Sequence, residues 1–292
     1  MRANKLKIVV IANPAACGGK AIETYNRYAD FLTIEMIPYI AYLTKGFNDE
    51  IPIKTLIEEE RPEIISVIGG DGTLNITLNS LPDLNIYLHL IPAGTGNDFS
   101  KLVYEVLNER AIFQLVRGNY RLKQIDSWKC NKKRFINCFG AGFDGEIAKR
   151  MFNKTYFLPP KLKYYAEILK SIFTYKSTLL IINGKQQPCF MLAVANGSVY
   201  GGGFKIAPKA DPTDSLVDLI IIGKVPVFMR FFYLPIIECG KHLNLDIITY
   251  SQNSIVTITS LTPLPAQIDG EPMLASSYNV TLEGKVSFLI AN

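Results

Sequence analysis

Paired cysteines, a supply of histidine and long apolar runs are all missing from this sequence. The five cysteines, Cys17, Cys130, Cys138, Cys189 and Cys239, are odd in number and far apart, with no C-x-x-C pair. That spacing excludes a disulfide framework or a zinc site and points to a reducing compartment. His89 and His242 are the two imidazoles of the chain, a poor basis for imidazole-ligated metal or triad chemistry. The amino terminus has basic residues and then a short apolar strand ending at Asn13–Pro14, without the longer apolar region and cleavage site of a signal peptide. The most apolar later stretch, Val225 to Cys239, is interrupted by Pro226, Arg230 and Pro235. It falls short of the roughly 20 apolar residues that a spanning helix needs. No stripe of Lys and Arg interleaved with aromatics is present, so nucleic acid is not an expected partner. Internal repeats and low-complexity linkers are absent too.

What remains is a chain of 292 residues, 48% apolar and 20% charged, with room for a sizeable core. Lys plus Arg exceed Asp plus Glu by 31 to 26, a mild excess that favours dwelling near anionic lipid or phosphate. The first part alternates strand and helix: apolar runs at Lys7–Ala12, Ile37–Tyr42, Ile64–Ile68 and Ile86–Ile91, with helices expected at Lys20–Thr33, Asn48–Glu60 and Leu74–Asn79. This β-loop-α rhythm predicts a parallel sheet with helices on both faces. After about residue 122 the texture changes to short β-rich runs: Leu122–Asn131, Arg134–Phe139, Thr178–Ile182, Gln187–Asn196, Leu216–Ile222, Ser254–Ser260, Ala266–Ile268 and Asn279–Leu282. Helical stretches interrupt them near Gly145–Asn153, Leu162–Thr174 and Val227–His242. We therefore expect a nucleotide-type α/β domain over residues 1–122 and an antiparallel β sandwich or barrel over 123–292. The closing residues are candidates to return to the first domain.

Chemistry concentrates in the loops. Gly69-Gly70-Asp71-Gly72-Thr73 stands between a β run and a helix, where glycines allow close backbone approach to phosphate and the helix start offers unpaired N–H groups. Asp71 supplies a carboxylate to a metal–phosphate complex and Thr73 a hydroxyl; read alone, the segment is also a plain tight turn. It is neither a Walker A loop nor a G-x-G-x-x-G fingerprint. A second glycine loop, Ala93-Gly94-Thr95-Gly96-Asn97-Asp98, follows the next strand, and a third runs from Asn13-Pro14 to Gly18-Gly19-Lys20. Loops of this kind gather at the carboxyl edge of an open α/β sheet, where ligands bind. Asn97 and Asp98 also suit the role of helix caps for the segment beginning at Phe99. Asp269-Gly270-Glu271-Pro272 is either a solvated hairpin tip or a pair of carboxylates able to take a proton from an alcohol attacking a γ-phosphate. Asp126 lies in an apolar strand and implies a metal or a hydrogen-bond network. Asp211, Asp214 and Asp218 form either a polar turn or a magnesium or calcium site.

Taken in order and spacing, these residues resemble the soluble bacterial diacylglycerol and lipid kinases (the DgkB and YegS type), over nearly the whole chain. The resemblance rests on the Asn-Pro opening with its Gly loop, Gly-Gly-Asp-Gly-Thr, Gly-Thr-Gly-Asn-Asp-Phe, Asn196-Gly197 with Gly201-Gly202-Gly203, Ala207-Pro208 with Ala210, and Asp-Gly-Glu. It implies a Rossmann-like nucleotide-binding domain, a carboxyl-terminal β-sandwich domain and an active-site cleft between them. It further implies ATP as phosphate donor, Mg2+ as cofactor and transfer to a lipid hydroxyl, diacylglycerol first. Carried over by motif, Asn13, Thr44, Gly69, Gly70, Asp71, Gly72, Thr73, Thr95, Asn97 and Asp98 form the ATP-binding set. Asp71, Asp98 and Asp126 hold the nucleotide's magnesium through water, and Asp269 and Glu271 are the proton-accepting pair. Asp214, with carbonyls of Asp211 and Leu216, forms a structural magnesium site. The chain departs from the family at Asp214-Ser215, where Asp-Gly is usual; serine disfavours the positive φ that glycine allows. The implied setting is cytoplasmic, peripheral at the cytosolic face of a membrane, with a homodimer as a further option. Membrane contacts are expected at 156–161 with Tyr164 and Tyr165, and at Val227–Tyr233, where aromatics stand beside Lys or Arg. The alternatives are an NAD kinase-like phosphotransferase, against which Gly-Thr-Gly-Asn-Asp-Phe and Asp-Gly-Glu argue, and a non-catalytic lipid-binding protein that kept the fold.

Overall fold

The computed structural model describes residues 7–104, 108–152 and 160–292, apart from the side chains of Pro160, Lys161, Lys163 and Tyr164. The expected membrane contact at 156–161 with Tyr164 falls outside the described residues, apart from the backbone of the helix that begins at Pro160. The chain divides into two compact units, Met1–Ile125 with Gly284–Asn292, and Asp126–Glu283.

In the first unit the elements run β1 (Ile8–Ala12), α1 (Ala21–Ile34), β2 (Tyr39–Leu43), α2 (Glu50–Glu60), β3 (Ile64–Gly69), α3 (Asp71–Ser80), β4 (Tyr87–Pro92), α4 (Ser100–Val103) and α5 (Glu109–Gln114). The strands pair in parallel in the order β2-β1-β3-β4. Every residue of β1 and β3 is buried, as expected for central strands covered by helices on both faces, and their sequences IVVIA and IISVIG show no polar alternation. Helix α1 buries Thr24, Tyr28 and Leu32, one per turn. Helix α2 ends on Arg61, left-handed at φ 45, ahead of Pro62, which cannot continue it. Phe288, near the chain's end, pairs in parallel with Leu88 of β4, and its ring lies 5.6 Å from that of Phe99.

The second unit begins within β5 (Arg121–Cys130). It continues through β6 (Lys133–Phe135), β7 (Cys138–Gly142), α6 (Phe143–Phe152), α7 (Pro160–Ile172), β8 (Thr178–Ile182), β9 (Lys185–Cys189), β10 (Met191–Ala195), β11 (Val217–Ile222), α8 (Val227–Glu238), β12 (Ile248–Asn253), β13 (Ile255–Ile268) and β14 (Glu271–Ile290). Antiparallel pairing gives the order β12-β11-β10-β7-β13-β14, with β8 beside β13 and β9 beside β8. Strands β7, β10 and β11 send alternate residues to two cores. Phe139, Leu192, Val194, Leu219 and Ile221 join Trp128, Val256 and Tyr278. Cys138, Ala193, Ile220 and Ile222 instead meet Phe143 and Ile147 of α6 and Ile168 and Ile172 of α7. A strand buried on both faces needs apolar residues at every position, and β10 reads MLAVA.

Several runs divide or fuse relative to the sequence-based expectation. The run 134–139 breaks because the N–H groups of Ile136, Asn137 and Cys138 donate to the Asp269 carboxylate instead of a strand neighbour. The run 187–196 breaks at Phe190, whose N–H bonds Ile222 and whose carbonyl accepts from Phe143. Ser254–Ser260 and Ala266–Ile268 belong to one strand with a register shift between Thr259 and Leu264, and Asn279–Leu282 is the middle of a 20-residue strand. Helix α5 and strand β12 have no counterpart among the sequence-based expectations.

Candidate active site

Hydrogen bonds between neighbouring strands bring the first unit's motif loops together at the carboxyl edge of its sheet. The Ala93 N–H donates to the Gly69 carbonyl, that of Asn13 to Ile68 and that of Thr44 to Ala12. The loops after β3 and β4 touch backbone to backbone. A Cβ added to Gly94 would lie 2.4 Å from the Cα of Gly70, and one added to Gly69 would lie 2.2 Å from Thr73 Oγ1. Asn97, left-handed at φ 50, clasps Gly94 from both sides: its Oδ1 accepts from the Gly94 N–H at 2.9 Å and its Nδ2 donates to the Gly94 carbonyl at 2.8 Å. Asn97 and Asp98 are therefore not the helix caps that composition allows; Phe99 is the N-cap of α4 and no side chain caps it. We expect Gly94→Ala to force these loops apart and destabilise the protein by about 1–3 kcal/mol, as overpacking does. Gly72→Ala, with open space around the new methyl, should gain about 0.5–1 kcal/mol from helix propensity; thermal melts of the two variants test the contrast.

Asp71 opens α3, and its carboxylate accepts from the N–H groups of Asp98 and Phe99, each at 3.2 Å. One acid thus pins the second glycine loop to the first. Burial raises its pKa, the N–H of Phe99 opposes that, and the Asp98 charge adds to it. Asp98 is itself buried and pairs with Lys101 Nζ at 3.1 Å. Thr95 is exposed at the loop's tip. The hydroxyls of Thr44 and Thr73 are buried and have no hydrogen-bond partner among the described residues. Such orphaned donors are rare in native structures and invite a ligand or water. In the first loop Asn13 Oδ1 accepts from Ala15 N–H, and Cys17, Gly18 and Gly19 are successive left-handed residues.

In the second unit Asp269, left-handed at φ 46, accepts three backbone N–H groups, from Ile136 at 3.0 Å, Asn137 at 3.1 Å and Cys138 at 2.8 Å. The Asp269 carboxylate is thus held in its own framework of backbone donors. Glu271 is exposed. Sequence reasoning missed Gln267, whose side chain joins three parts of the site: Oε1 accepts from the Gly270 N–H, and Nε2 donates to Asp144 and Cys138 Sγ. A glutamine buried two residues before an Asp-Gly turn was the available signal. Asn196 of the Asn196-Gly197 motif bridges Trp128 Nε1 and the carbonyls of Asp126 and Ile136.

Asp126 is fully buried, with Oδ2 2.6 Å from the N–H of Ser215. Its network is at least partly this loop. Ser215 takes φ 64, so the loop keeps the left-handed shape that glycine would give and carries the strain of a side chain there. Asp211 Oδ1 accepts from Thr213 and Asp214 Oδ1 from the Leu216 N–H, while a buried Oδ1 of Asp218 has no hydrogen-bond partner among the described residues. Burial raises the Asp218 pKa, with the Asp214 charge adding to it. Among the described residues no three His, Cys, Asp or Glu side chains converge as a ready metal cage. Ser215→Gly should stabilise the protein by about 1 kcal/mol through relief of left-handed strain, measurable in urea unfolding; a destabilised variant would contradict the strain.

The same unit contains an open, mostly apolar pocket lined by Phe143, Ile168, Phe190, Phe204, Ile222 and Leu234, with Asp144 and Arg230 as charged members.

Comparison with known proteins converges on one family. Residues 7–128 match the diacylglycerol kinase catalytic domain and residues 137–286 the YegS C-terminal NAD kinase beta sandwich-like domain. The chain is 24% identical over 287 residues to a diacylglycerol kinase of Mycobacterium tuberculosis (strain H37Rv), covering 91% of this chain and 93% of that one. It is 29% identical over 228 residues to a diacylglycerol kinase of Bacillus subtilis (strain 168), covering 72% and 71%. A crystal structure of a diacylglycerol kinase from Bacillus anthracis (strain Sterne) shares the fold with a TM-score of 0.69, covering 98% of this chain and 97% of that one at 21% identity. With an α/β catalytic domain and a β-sandwich domain both matched in order, the chain belongs to the DgkB/YegS-type family of diacylglycerol and lipid kinases and is an ATP-dependent lipid kinase.

Proposed function

We propose that the protein transfers the γ-phosphate of ATP to the free hydroxyl of diacylglycerol, giving phosphatidic acid and ADP. The observation that carries this reading is the contact between the two glycine loops, with Asp71 fastened across it. Backbone packed this tightly leaves N–H groups able to approach phosphate oxygens, and the start of α3 favours an anion. The orphaned hydroxyls of Thr44 and Thr73 add donors at the same edge.

The acids fit magnesium on chemical grounds. Mg2+ is commonly held by one or two carboxylates plus phosphate oxygens and waters, and the half-buried Asp71 and the buried Asp98 are neighbouring acids whose mutual repulsion a cation would relieve. When bound there it neutralises charge on the transferring phosphoryl group. The loop of Asp211, Asp214 and Leu216 is a second candidate, supported by the left-handed Ser215 and the unpartnered Asp218 Oδ1.

On the acceptor side Glu271 is the group we assign as base, because the Asp269 oxygens already serve three backbone donors. The lipid hydroxyl oxygen forms a bond to the γ-phosphorus while the bond to the β,γ-bridging oxygen breaks, and the hydroxyl proton passes to Glu271. The apolar pocket supports an acyl chain as the neighbour of that hydroxyl.

Incubation with γ-labelled ATP, Mg2+ and a total lipid extract, followed by thin-layer separation, tests the substrate. Label in phosphatidic acid is the expected result. Label in another lipid replaces diacylglycerol in this proposal, and label in NAD with none in lipid overturns the reading.

A further inference from the structure

We infer that the outer face of the α7–α8 pair is the surface that seats this enzyme on an anionic lipid bilayer, beside the pocket whose wall the same helices form; this rests on the lipid-kinase reading. Helix α8 is apolar nearly all round. Met229, Phe231, Tyr233, Leu234 and Ile237 pack inward against the second unit's core, while Val227, Phe228 and Phe232 point out, the two rings 67% and 66% exposed. A helix apolar on every side is usual inside a core or in lipid, and unusual facing water. At 12 residues it is too short to cross a bilayer, and no helix of the described residues is long and apolar enough to do so. Lying along the surface, with its rings in the interface, remains.

Helix α7 contributes to the same surface. Leu169 and, just past the helix end, Phe173 are exposed, and the Phe173 ring lies 4.9 Å from that of Phe231. Arg230 ties the two helices together: its guanidinium donates to the carbonyls of Ile172, Tyr175 and Val225 and stacks over Phe190 at 4.4 Å. Those carbonyls fix what surrounds the patch. Lys176 follows Tyr175, Lys224 precedes Val225, and both are exposed, as is Lys170 on α7. The acids of these two helices are Glu167, buried and paired with Lys170, and Glu238 at the far end of α8. Exposed rings and leucines ringed by lysines match an acyl region beneath anionic headgroups. Pairing this face with a second copy would bring lysine rims of one sign together, so lipid is the better occupant. Exposed apolar residues of the first unit, such as Phe47, provide a comparison, being exposed and part of neither α7 nor α8.

Sedimentation with phosphatidylcholine vesicles, with and without phosphatidylglycerol, tests the assignment. Wild type should bind the phosphatidylglycerol vesicles, and Phe228→Ser with Phe232→Ser should weaken that partitioning at least about 10-fold. Lys176→Glu with Lys224→Glu should weaken it about 5-fold or more on anionic vesicles and leave the neutral ones unchanged. Phe47→Ser should bind as wild type. Failure of wild type to bind, equal binding by the two-ring variant, or equal loss with Phe47→Ser overturns the surface. The variants' transfer to a short-chain diacylglycerol in solution, read alongside, should match wild type. Absence of transfer to any lipid by wild type is a separate failure, of the kinase reading itself.

Discussion

Asp71→Asn should abolish phosphate transfer while leaving a protein at least as stable as wild type at pH 7. The activity loss follows from removing the charge that sits between the two glycine loops; removal of one such electrostatic group typically costs about 10²–10³-fold in rate. The stability expectation follows from the sign of the pKa shift. Burial raises the Asp71 pKa, so the ionised carboxylate disfavours the folded state. That cost is full at neutral pH, shrinks as pH falls through the raised folded value, and is gone below the unfolded value near about pH 4. Asparagine keeps an oxygen for one of the two N–H groups without the buried charge. Rate and thermal midpoint measured together, at pH 7 and toward pH 4, check both halves. Wild-type turnover in the variant would remove Asp71 from the mechanism, and a large loss of stability at pH 7 would contradict the electrostatic account.

Glu271→Gln and Asp269→Ala should fail in opposite ways. Glu271 is exposed, and its replacement should move stability by no more than about 0.5 kcal/mol. Loss of a general base should nevertheless slow transfer on the order of 100-fold. Asp269→Ala strips the acceptor from the N–H groups of Ile136, Asn137 and Cys138 and leaves alanine at positive φ. Unmet donors cost on the order of 1–3 kcal/mol where buried, so a destabilisation of about 2–4 kcal/mol is expected. Activity would fall with folding, and ATP binding should persist in whatever fraction stays folded. A stable Asp269 variant with no activity, beside an active Glu271 variant, would reverse the assignment.

Local rules and tertiary rules divided the legible from the hidden. The parallel half was readable because its strands are buried on both faces, so IVVIA and IISVIG appear as unbroken apolar runs followed by glycine loops. The antiparallel half was readable as strands but not in their limits. The run 134–139 contains no Gly or Pro, and its break is imposed from 131 and 132 residues away by the Asp269 carboxylate. Fusion of Ser254–Ser260 with Ala266–Ile268 was hidden by an irregularity in pairing, because Pro263 and Pro265 look like punctuation in sequence. Helix α5, at six residues, is too short for a periodic signal.

By itself the sequence determined the order of β-loop-α units, the family, and the residue types gathered in each loop, because glycine and acid spacing within a loop is set by local backbone geometry. Tertiary structure alone set the two acids of the Asp-Gly-Glu turn apart. Asp269 and Glu271 are near-equivalent as text, and they separate only when three N–H groups of a distant strand junction reach one of them. Ser215 shows the same division: its identity argues against a left-handed turn, yet it adopts φ 64 with its N–H on the buried Asp126 carboxylate. Local preference there is worth about 1 kcal/mol, and a charge-assisted hydrogen bond to a buried acid is worth more, about 1.5–3 kcal/mol.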